Sequence, residues 1–527
     1  MFETRVKVKQ KGIKKTRIVI ISDTHITPTG YQFNKKIFDI GMRNISKIKD
    51  VDLYLHLGDL THFGTLQDYE YFLDLFKNLD FLSEDSPFMF LIGNHDSLNV
   101  GYLLFEEYIG ERFIKYENNQ IYLIGLDSTK PDLASGIIHH NIIDETEEEL
   151  NASERENKLK IICFHHQLIP IPNTGRERSA IDDSGNMLKM LVDTKSDLIL
   201  NGHRHISNLY SIDTSDKNLF IFNAGTFCCN KTRYREQFTY NILDIENNHI
   251  TFRILPILES IKPKKIKRKV KKYSIPDINP EKKSYAKFIQ LSNTLISESG
   301  DNKTVNKVID QLNNLSDIDL VIHCGNLTKN GLEKDYLKAK EIMERLNFPY
   351  LIVPGYTDMP PPAWKYWEQY IGSQHPTFEN DKVYFQGLNS TTVDSPIGFL
   401  GRKRLEQTIE KILERHHEKI IGITFFHPCI PTPLSVWRTD LSDSGDVLSQ
   451  FASSKVDLIL NNSPSINFNV KVENSVFSNG GSLKVNHFDI SFIEINFYER
   501  GLLILKEHNL SEGLTRLIGK YKCEFFA

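Results

Sequence analysis

The chain repeats itself. LHLGDLTHFG (Leu55–Gly64) returns as IHCGNLTKNG (Ile322–Gly331), one of five blocks that recur in the same order. ISDTHI (Ile21–Ile26) is matched by LSNTLI (Leu291–Ile296), and IYLIGLDST (Ile121–Thr129) by VYFQGLNST (Val383–Thr391). FHHQLIPIP (Phe164–Pro172) is matched by FHPCIPTP (Phe426–Pro433), and SDLILNGHRHI (Ser196–Ile206) by VDLILNNSPSI (Val456–Ile466). The offset drifts only from 270 at Asp23 and Asn293 to 260 at Asn201 and Asn461, as small loop deletions produce. Five ordered blocks imply a tandem duplication of one domain of about 240 residues. A chain of 527 residues is long enough for two such copies.

Within each copy, short apolar runs end at polar or glycine corners: TRIVIIS, DLYLHLG, FMFLIGN, KIICFH and DLILNG in the first. Runs so nearly continuous in Val, Ile and Leu fit strands buried on both faces. LQDYEYFLDLFKNL (Leu66–Leu79) places its apolar residues at helical spacing. The alternation predicts an α/β sandwich whose site lies at the carboxyl ends of its strands. Between the copies, Pro256–Tyr285 carries four prolines and a dense block of Lys and Arg without apolar periodicity. That composition predicts a self-repelling linker; a nucleic-acid or anionic-lipid patch is the alternative. The boundaries follow: a basic tail over 1–16, a first domain over 17–256, a basic linker over 257–284, and a second domain over 285–527.

The net charge of −4 gives no whole-chain argument for nucleic acid or membrane. Six cysteines, none in a C-x-x-C pair, indicate neither a disulfide framework nor a zinc ribbon, and a reduced cytoplasm is the expected home. The basic, then apolar N-terminus mimics a signal peptide, but its apolar run is short and meets Asp23. No segment approaches the ~18 apolar residues of a membrane span.

The corners of the first copy deliver chemistry. They present Asp23 and His25 (SDTH), Asp59 (GD), Asn94, His95 and Asp96 (GNHD), His165 and His166 (FHH), and His203 and His205 (GHRH). Carboxylates, an amide oxygen and imidazoles without a thiolate suit first-row metals such as Mn, Fe or Zn. They are too many for one ion and about enough for two that share a carboxylate. D-x-H or G-D alone is a common turn; all five corners in this order are not.

The string D-x-H, G-D, G-N-H-D, H, G-H-x-H resembles the calcineurin-like metallophosphoesterase family. FHHQLIPIP and NAGT (Asn223–Thr226) are most similar to its class III cyclic-nucleotide phosphodiesterase branch. The resemblance implies two tandem αββα sandwiches with a dinuclear centre in the first. Asp23, His25 and His205 would hold one divalent ion, Asn94, His165 and His203 the other, and Asp59 would bridge them. His95 would protonate the leaving oxygen and Asp96 would orient it. The implied reaction is hydrolysis of a phosphoester, foremost a phosphodiester, with a nucleotide among the candidate substrates. A phosphomonoesterase or nucleotide-sugar pyrophosphatase is the enzymatic alternative. Arg176 and His62 are candidate substrate contacts; His166, Arg178, His56 and the pair Cys228–Cys229 read as structural.

In the second copy Asn293, Leu295 and Asn326 replace Asp23, His25 and Asp59. Tyr356, Thr357 and Asp358 stand opposite Asn94, His95 and Asp96, while Ser463 and Ser465 replace His203 and His205. By this alignment only His427 survives, opposite His165. A neutral amide cannot offset two dications, so this copy is expected to be inactive. It would serve as a built-in partner in an intramolecular pseudo-dimer, or as a ligand- or protein-binding scaffold.

Overall fold

TRIVII and DLYLH become neighbouring parallel strands, Lys15–Ile21 and Leu53–His56, in register from Ile18–Leu53 to Ile21–His56. Residues 5–7, 15–77, 79, 86–152, 157–174, 180–233, 236–258, 262–273, 283–415, 419–434, 441–462, 466–484, 490–499 and 501–523 are described by this computed structural model. They form two units, one built chiefly from residues up to Lys272 and the other chiefly from Tyr273 onward.

In the first unit one sheet runs in the order Phe88–Phe90, Leu53–His56, Lys15–Ile21, Thr239–Glu246, His249–Pro256 and Lys264–Lys269. Another sheet includes, in order, Arg5–Lys7, Ile114–Glu117, Ile121–Gly125, Leu159–Cys163, Leu198–Asn201 and Asn218–Asn223. Side chains alternate across a strand, and here both sides are used. Ile18, Ile20, Leu53 and Leu55 meet Leu123, Ile161, Leu198 and Phe222 in the core between the sheets. Val19, Ile21 and Tyr54 face the other way, into a core with Phe38, Met42, Tyr69, Phe72 and Phe105 from helices Lys35–Ile45, Leu66–Phe76 and Gly101–Tyr108. The middle helix starts at Thr65, whose side chain accepts from the Asp68 amide, and buries Tyr69, Phe72 and Phe76 at helical spacing. Helices His140–Asn151 and Ser184–Asp193 join the other sheet through Lys115–Glu149 and through Lys160, which donates to the Thr194 carbonyl. The order of layers is helix, sheet, sheet, helix.

The second unit repeats the pattern. One sheet runs Tyr350–Ile352, Leu320–His323, Ala286–Leu291, Ser491–Tyr498, Leu502–Asn509 and Leu514–Lys522. Another includes Thr377–Glu379, Val383–Gly387, Ile420–Thr424, Leu458–Asn461, Ser475–Asn479 and Phe468–Val472.

This order corrects the reading of the basic stretch as wholly a linker. Lys264–Lys269 pairs antiparallel with His249–Pro256, from Ile254–Lys264 to His249–Lys269. It is the sixth strand of its sheet, in the place Leu514–Lys522 takes in the second unit. Its apolar signal is thin because it lies at a sheet edge, where lysines are common. The basic tail likewise contributes a strand: Arg5–Lys7 pairs in parallel with Lys115–Glu117. Among the described residues no helix is long and apolar enough to cross a membrane.

Candidate metal centre

Each strand that ends at a polar corner ends on the same edge of the first unit, and several corners adopt left-handed backbone. Asp23, His25, Asp59, His203 and His205 have φ of 54°, 49°, 55°, 71° and 57°. Such conformations cost non-glycine residues about 1–3 kcal/mol each and gather at functional sites. Close approach is built in at Gly93, where a Cβ would stand 2.2 Å from the Asp59 amide nitrogen and 2.3 Å from its Oδ1. Any side chain at Gly93 would displace the carboxylate.

Asp59 is central. Its Oδ2 lies 3.5 Å from Nε2 of His25 and its Oδ1 lies 3.3 Å from Nε2 of His165. Asp23 Oδ1 lies 3.3 Å from His205 Nε2, and the Nε2 atoms of His25 and His205 are 3.2 Å apart. His203 Nδ1 is 2.8 Å from Asn94 Oδ1. Two convergent groups result, Asp23–His25–Asp59 and Asp59–His165–His203, with Asp59 in both. Burial disfavours charge on His165 and His205, but Asp59 and Asp23 more than offset it, pushing them up to about 9 and about 10. His25 and His203 are lowered well below the usual histidine value, chiefly by burial.

These side chains fit divalent cations. A charge-assisted hydrogen bond would draw nitrogen and oxygen to about 2.7–2.9 Å; the carboxylate–imidazole gaps here are 3.3–3.5 Å. Ligands about 2.0–2.2 Å from one cation naturally stand that far from each other. His165 donates from Nδ1 to the Leu57 carbonyl at 2.7 Å, and its buried Nε2 has no hydrogen-bond partner. His205 donates from Nδ1 to the Lys231 carbonyl at 2.6 Å. Such outer bonds fix the tautomer that leaves Nε2 as the donor to a metal. The groups can hold metal.

Three expectations need revision or addition. Asp96 does not orient His95. Its buried carboxylate accepts from the amides of Leu60, Thr61 and Gly93 and from the Thr61 hydroxyl at 2.7–3.0 Å, stapling the GD corner to the GNHD corner. His95 instead donates from Nδ1 to the His62 carbonyl at 2.7 Å, and its own amide donates to Asp59 Oδ1 at 2.8 Å. His62, considered as a substrate contact, has its Nδ1 3.2 Å from Nδ1 of His25 and only 5% of its surface exposed, so it braces a candidate ligand. His62 also converges with His25 and His95 in a third group, and Cys229, read as a plain buried thiol, joins His25 and His205 in a fourth. No spacing motif signalled it, because it lies in the segment after NAGT rather than at a repeated corner.

Other candidates fall where structure rather than chemistry explains them. His166 is fixed by Ser128, 2.8 Å from its Nδ1, and burial lowers it to about 3. His56 lies 2.9 Å from the Thr24 hydroxyl and accepts from the Gly58 amide. Arg176 and Arg178 lie outside the described residues.

The second unit has the same corners without the same ligating side chains. Asn293, Leu295 and Asn326 hold φ of 54°, 48° and 57°, each within two degrees of Asp23, His25 and Asp59. A leucine gains nothing from that backbone. Asp358 repeats the staple, accepting from the amides of Leu327, Thr328 and Gly355 and from the Thr328 hydroxyl. That role explains its survival beside Tyr356 and Thr357. His427 lies 2.8 Å from Ser390 Oγ, as His166 does from Ser128. A Cβ on Gly325 would meet Phe426, as one on Gly58 would meet His165. His427 therefore stands where His166 does, and Phe426 occupies the place of His165; the sequence alignment was one residue out of register. Ser463 and Ser465 lie outside the described residues. Among the described residues of this unit, no group of three metal-ligating side chains converges.

Residues 16–207 match the family model described as calcineurin-like phosphoesterase. A protein of Xenorhabdus bovienii named "Probable cyclic nucleotide phosphodiesterase" is 22% identical over 249 residues, covering 43% of this chain and 95% of that one. An Arcobacter nitrofigilis protein named "Probable glycerophosphodiester phosphodiesterase" is 26% identical over 169 residues, covering 29% of this chain and 61% of that one. Among solved structures, a dimetal phosphatase from Danio rerio has 11% identity and a TM-score of 0.37, over 49% of this chain and 99% of that one.

Proposed function

We infer a phosphodiesterase from one premise: this chain belongs, through residues 16–207, to the calcineurin-like phosphoesterase family, and it is a phosphoric ester hydrolase. The observation that carries the mechanism is Asp59, whose two oxygens face His25 on one side and His165 on the other. We assign Asp23, His25, His205 and Asp59 to one divalent ion, and Asp59, Asn94, His165 and His203 to a second. When bound, such ions neutralise charge on phosphate oxygens and lower the pKa of water.

The chain's own residues do the rest. Asp59 is kept in place by the His95 amide, and Gly93 leaves it room. His95 has its Nδ1 tied to the His62 carbonyl, so Nε2 is the atom that hands a proton to the departing oxygen. Asp96 holds the loops that carry both residues. A diester is favoured over a monoester by the names of the relatives, one for cyclic nucleotides and one for glycerophosphodiesters.

The second unit is a degenerate copy that holds no metal. Its matched left-handed corners and its Asp358 staple support descent from the same domain. Where the first unit gathers carboxylates and imidazoles, Asn326, Asn293, Asn462 and Ser482 bond to one another. That network leaves the corner amides already paired, which favours a structural role over a ligand pocket.

A metal-by-substrate panel tests the reaction. Bis-aryl phosphodiester, aryl monoester, cyclic nucleotides and nucleotide diphosphates are each offered with Mn, Fe, Zn and Mg. The diesters turn over fastest if the reading holds; a preference for the monoester would replace it.

A further inference from the structure

We propose that the open face of the sheet ending in Lys264–Lys269 binds the phosphate backbone of a single nucleic-acid strand. The register puts Lys265, Lys267 and Lys269 on one face with Arg253, Thr251 and His249 of the next strand. It continues across Asp244 and Glu246 to Arg17 and Lys15. Six cations thus share a face with two carboxylates, in a chain whose net charge is −4.

The two carboxylates offset part of this field and leave a surplus of four positive charges, six less two. Asp244 is held by Lys15 at 3.0 Å, Arg17 at 2.7 Å and Arg253. Lys265, Lys267 and Lys269 are exposed, and none pairs with a carboxylate among the described residues. Lysines on an edge strand alone would be explained as a guard against edge-to-edge pairing. Here the cations extend over Lys15, Arg17 and Arg253 on interior strands, and the face is concave. Lys15, Arg253, Lys265 and Lys267 line a cavity of about 450 Å³.

The shape chooses the ligand. Alternate lysines on a strand stand about 6.6–6.8 Å apart, the order of the separation of neighbouring phosphates along one strand. A row of cations in a groove fits a linear polyanion better than a planar lipid surface. The cavity lining has no Phe, Tyr or Trp and only His249 as a ring, so the contact is made chiefly to backbone and not to base. Lys15 begins the strand whose other end leads to Asp23, about 20 Å of strand away. The face is therefore separate from the metal centre and does not rest on its assignment.

The test is fluorescence anisotropy of a labelled oligo-dT with the full chain in EDTA, from 50 to 300 mM salt. Binding is expected, weakening as salt rises. Lys265→Glu/Lys267→Glu is expected to weaken it at least about tenfold at 100 mM salt and to lower the salt slope by about 1.4. Lys265→Gln/Lys267→Gln gives a smaller loss in the same direction. An unchanged urea-unfolding midpoint shows that both variants are folded, and it holds whether or not the phosphodiesterase reading does. No binding at 50 mM salt, or equal binding by the charge-reversed variant, overturns the proposal. So does equal competition by poly-glutamate, or a preference for phosphatidylserine vesicles over oligo-dT.

Discussion

In the second unit the Asn326 side chain donates to the side-chain oxygen of Asn293 across 2.9 Å. The matching positions of the first unit hold two carboxylates, Asp59 and Asp23, which have no amide N–H to donate and converge with His25. Asn326→Asp puts a carboxylate opposite the Asn293 oxygen and removes that bond. A loss of about 1–3 kcal/mol in urea unfolding of the second unit is expected, with no gain in bound metal. An unchanged midpoint would show that the amide network contributes nothing.

Asp96 and Asp358 accept the same four hydrogen bonds in their own units. Asp96→Ala and Asp358→Ala should therefore both destabilise, each by at least about 1–3 kcal/mol, because buried amides lose their acceptor. Only Asp96→Ala should also cost activity. If Asp96 instead served His95, Asp96→Ala would lose turnover with unfolding unchanged.

His95→Gln tests proton delivery. A general acid contributes about 10²–10⁴-fold, and the loss should be large for an alkyl leaving group and small for a nitrophenolate. Equal losses for both substrates would remove His95 from that role.

The polar corners were readable in the sequence because each ended an apolar run with residues that burial alone would disfavour. The sheets were readable from the same runs. What escaped has physical causes. Lys264–Lys269 sits at an edge with an open face, so no apolar alternation marks it. Asp96 sits in GNHD, where a carboxylate next to a histidine reads as its partner; only the donors around it reveal a staple. His427 matches His165 in sequence because a phenylalanine precedes each, whereas its contacts with Ser390 and Gly398 are those of His166 with Ser128 and Gly136. Cys229 belongs to no corner.

Metal should stabilise the first unit alone. A ligand at 100 times its Kd adds about 2.7 kcal/mol to the state that binds it. Hydrogen exchange followed by peptide mass spectrometry should show Mn slowing exchange around Asp59 and His165 and leaving the segments around Asn326 and Phe426 unchanged. Equal slowing in both would contradict the degenerate reading.

Acid should weaken the second unit through Glu494. Burial would raise this carboxyl, but His508 at 3.1 Å, Asn496 and the nearby lysines outweigh it and hold Glu494 at about 2, against an ordinary 4.5. As pH falls the unfolded chain takes up its proton first, so the contribution is whole above about 4.5 and is lost between there and about 2. The urea-midpoint difference between wild type and Glu494→Gln should shrink as pH falls from 5 to 3. A constant difference would contradict it.

The most direct test of the dinuclear reading is kcat/KM of Asp59→Asn with Mn on a bis-aryl phosphodiester. That substitution writes into the first unit what Asn326 already places in the second. Loss of a residue that merely supports a ligand costs about 10–100-fold, so loss of the shared carboxylate should cost at least about 100-fold. Turnover within about twofold of the wild type at the same metal concentration would contradict the account.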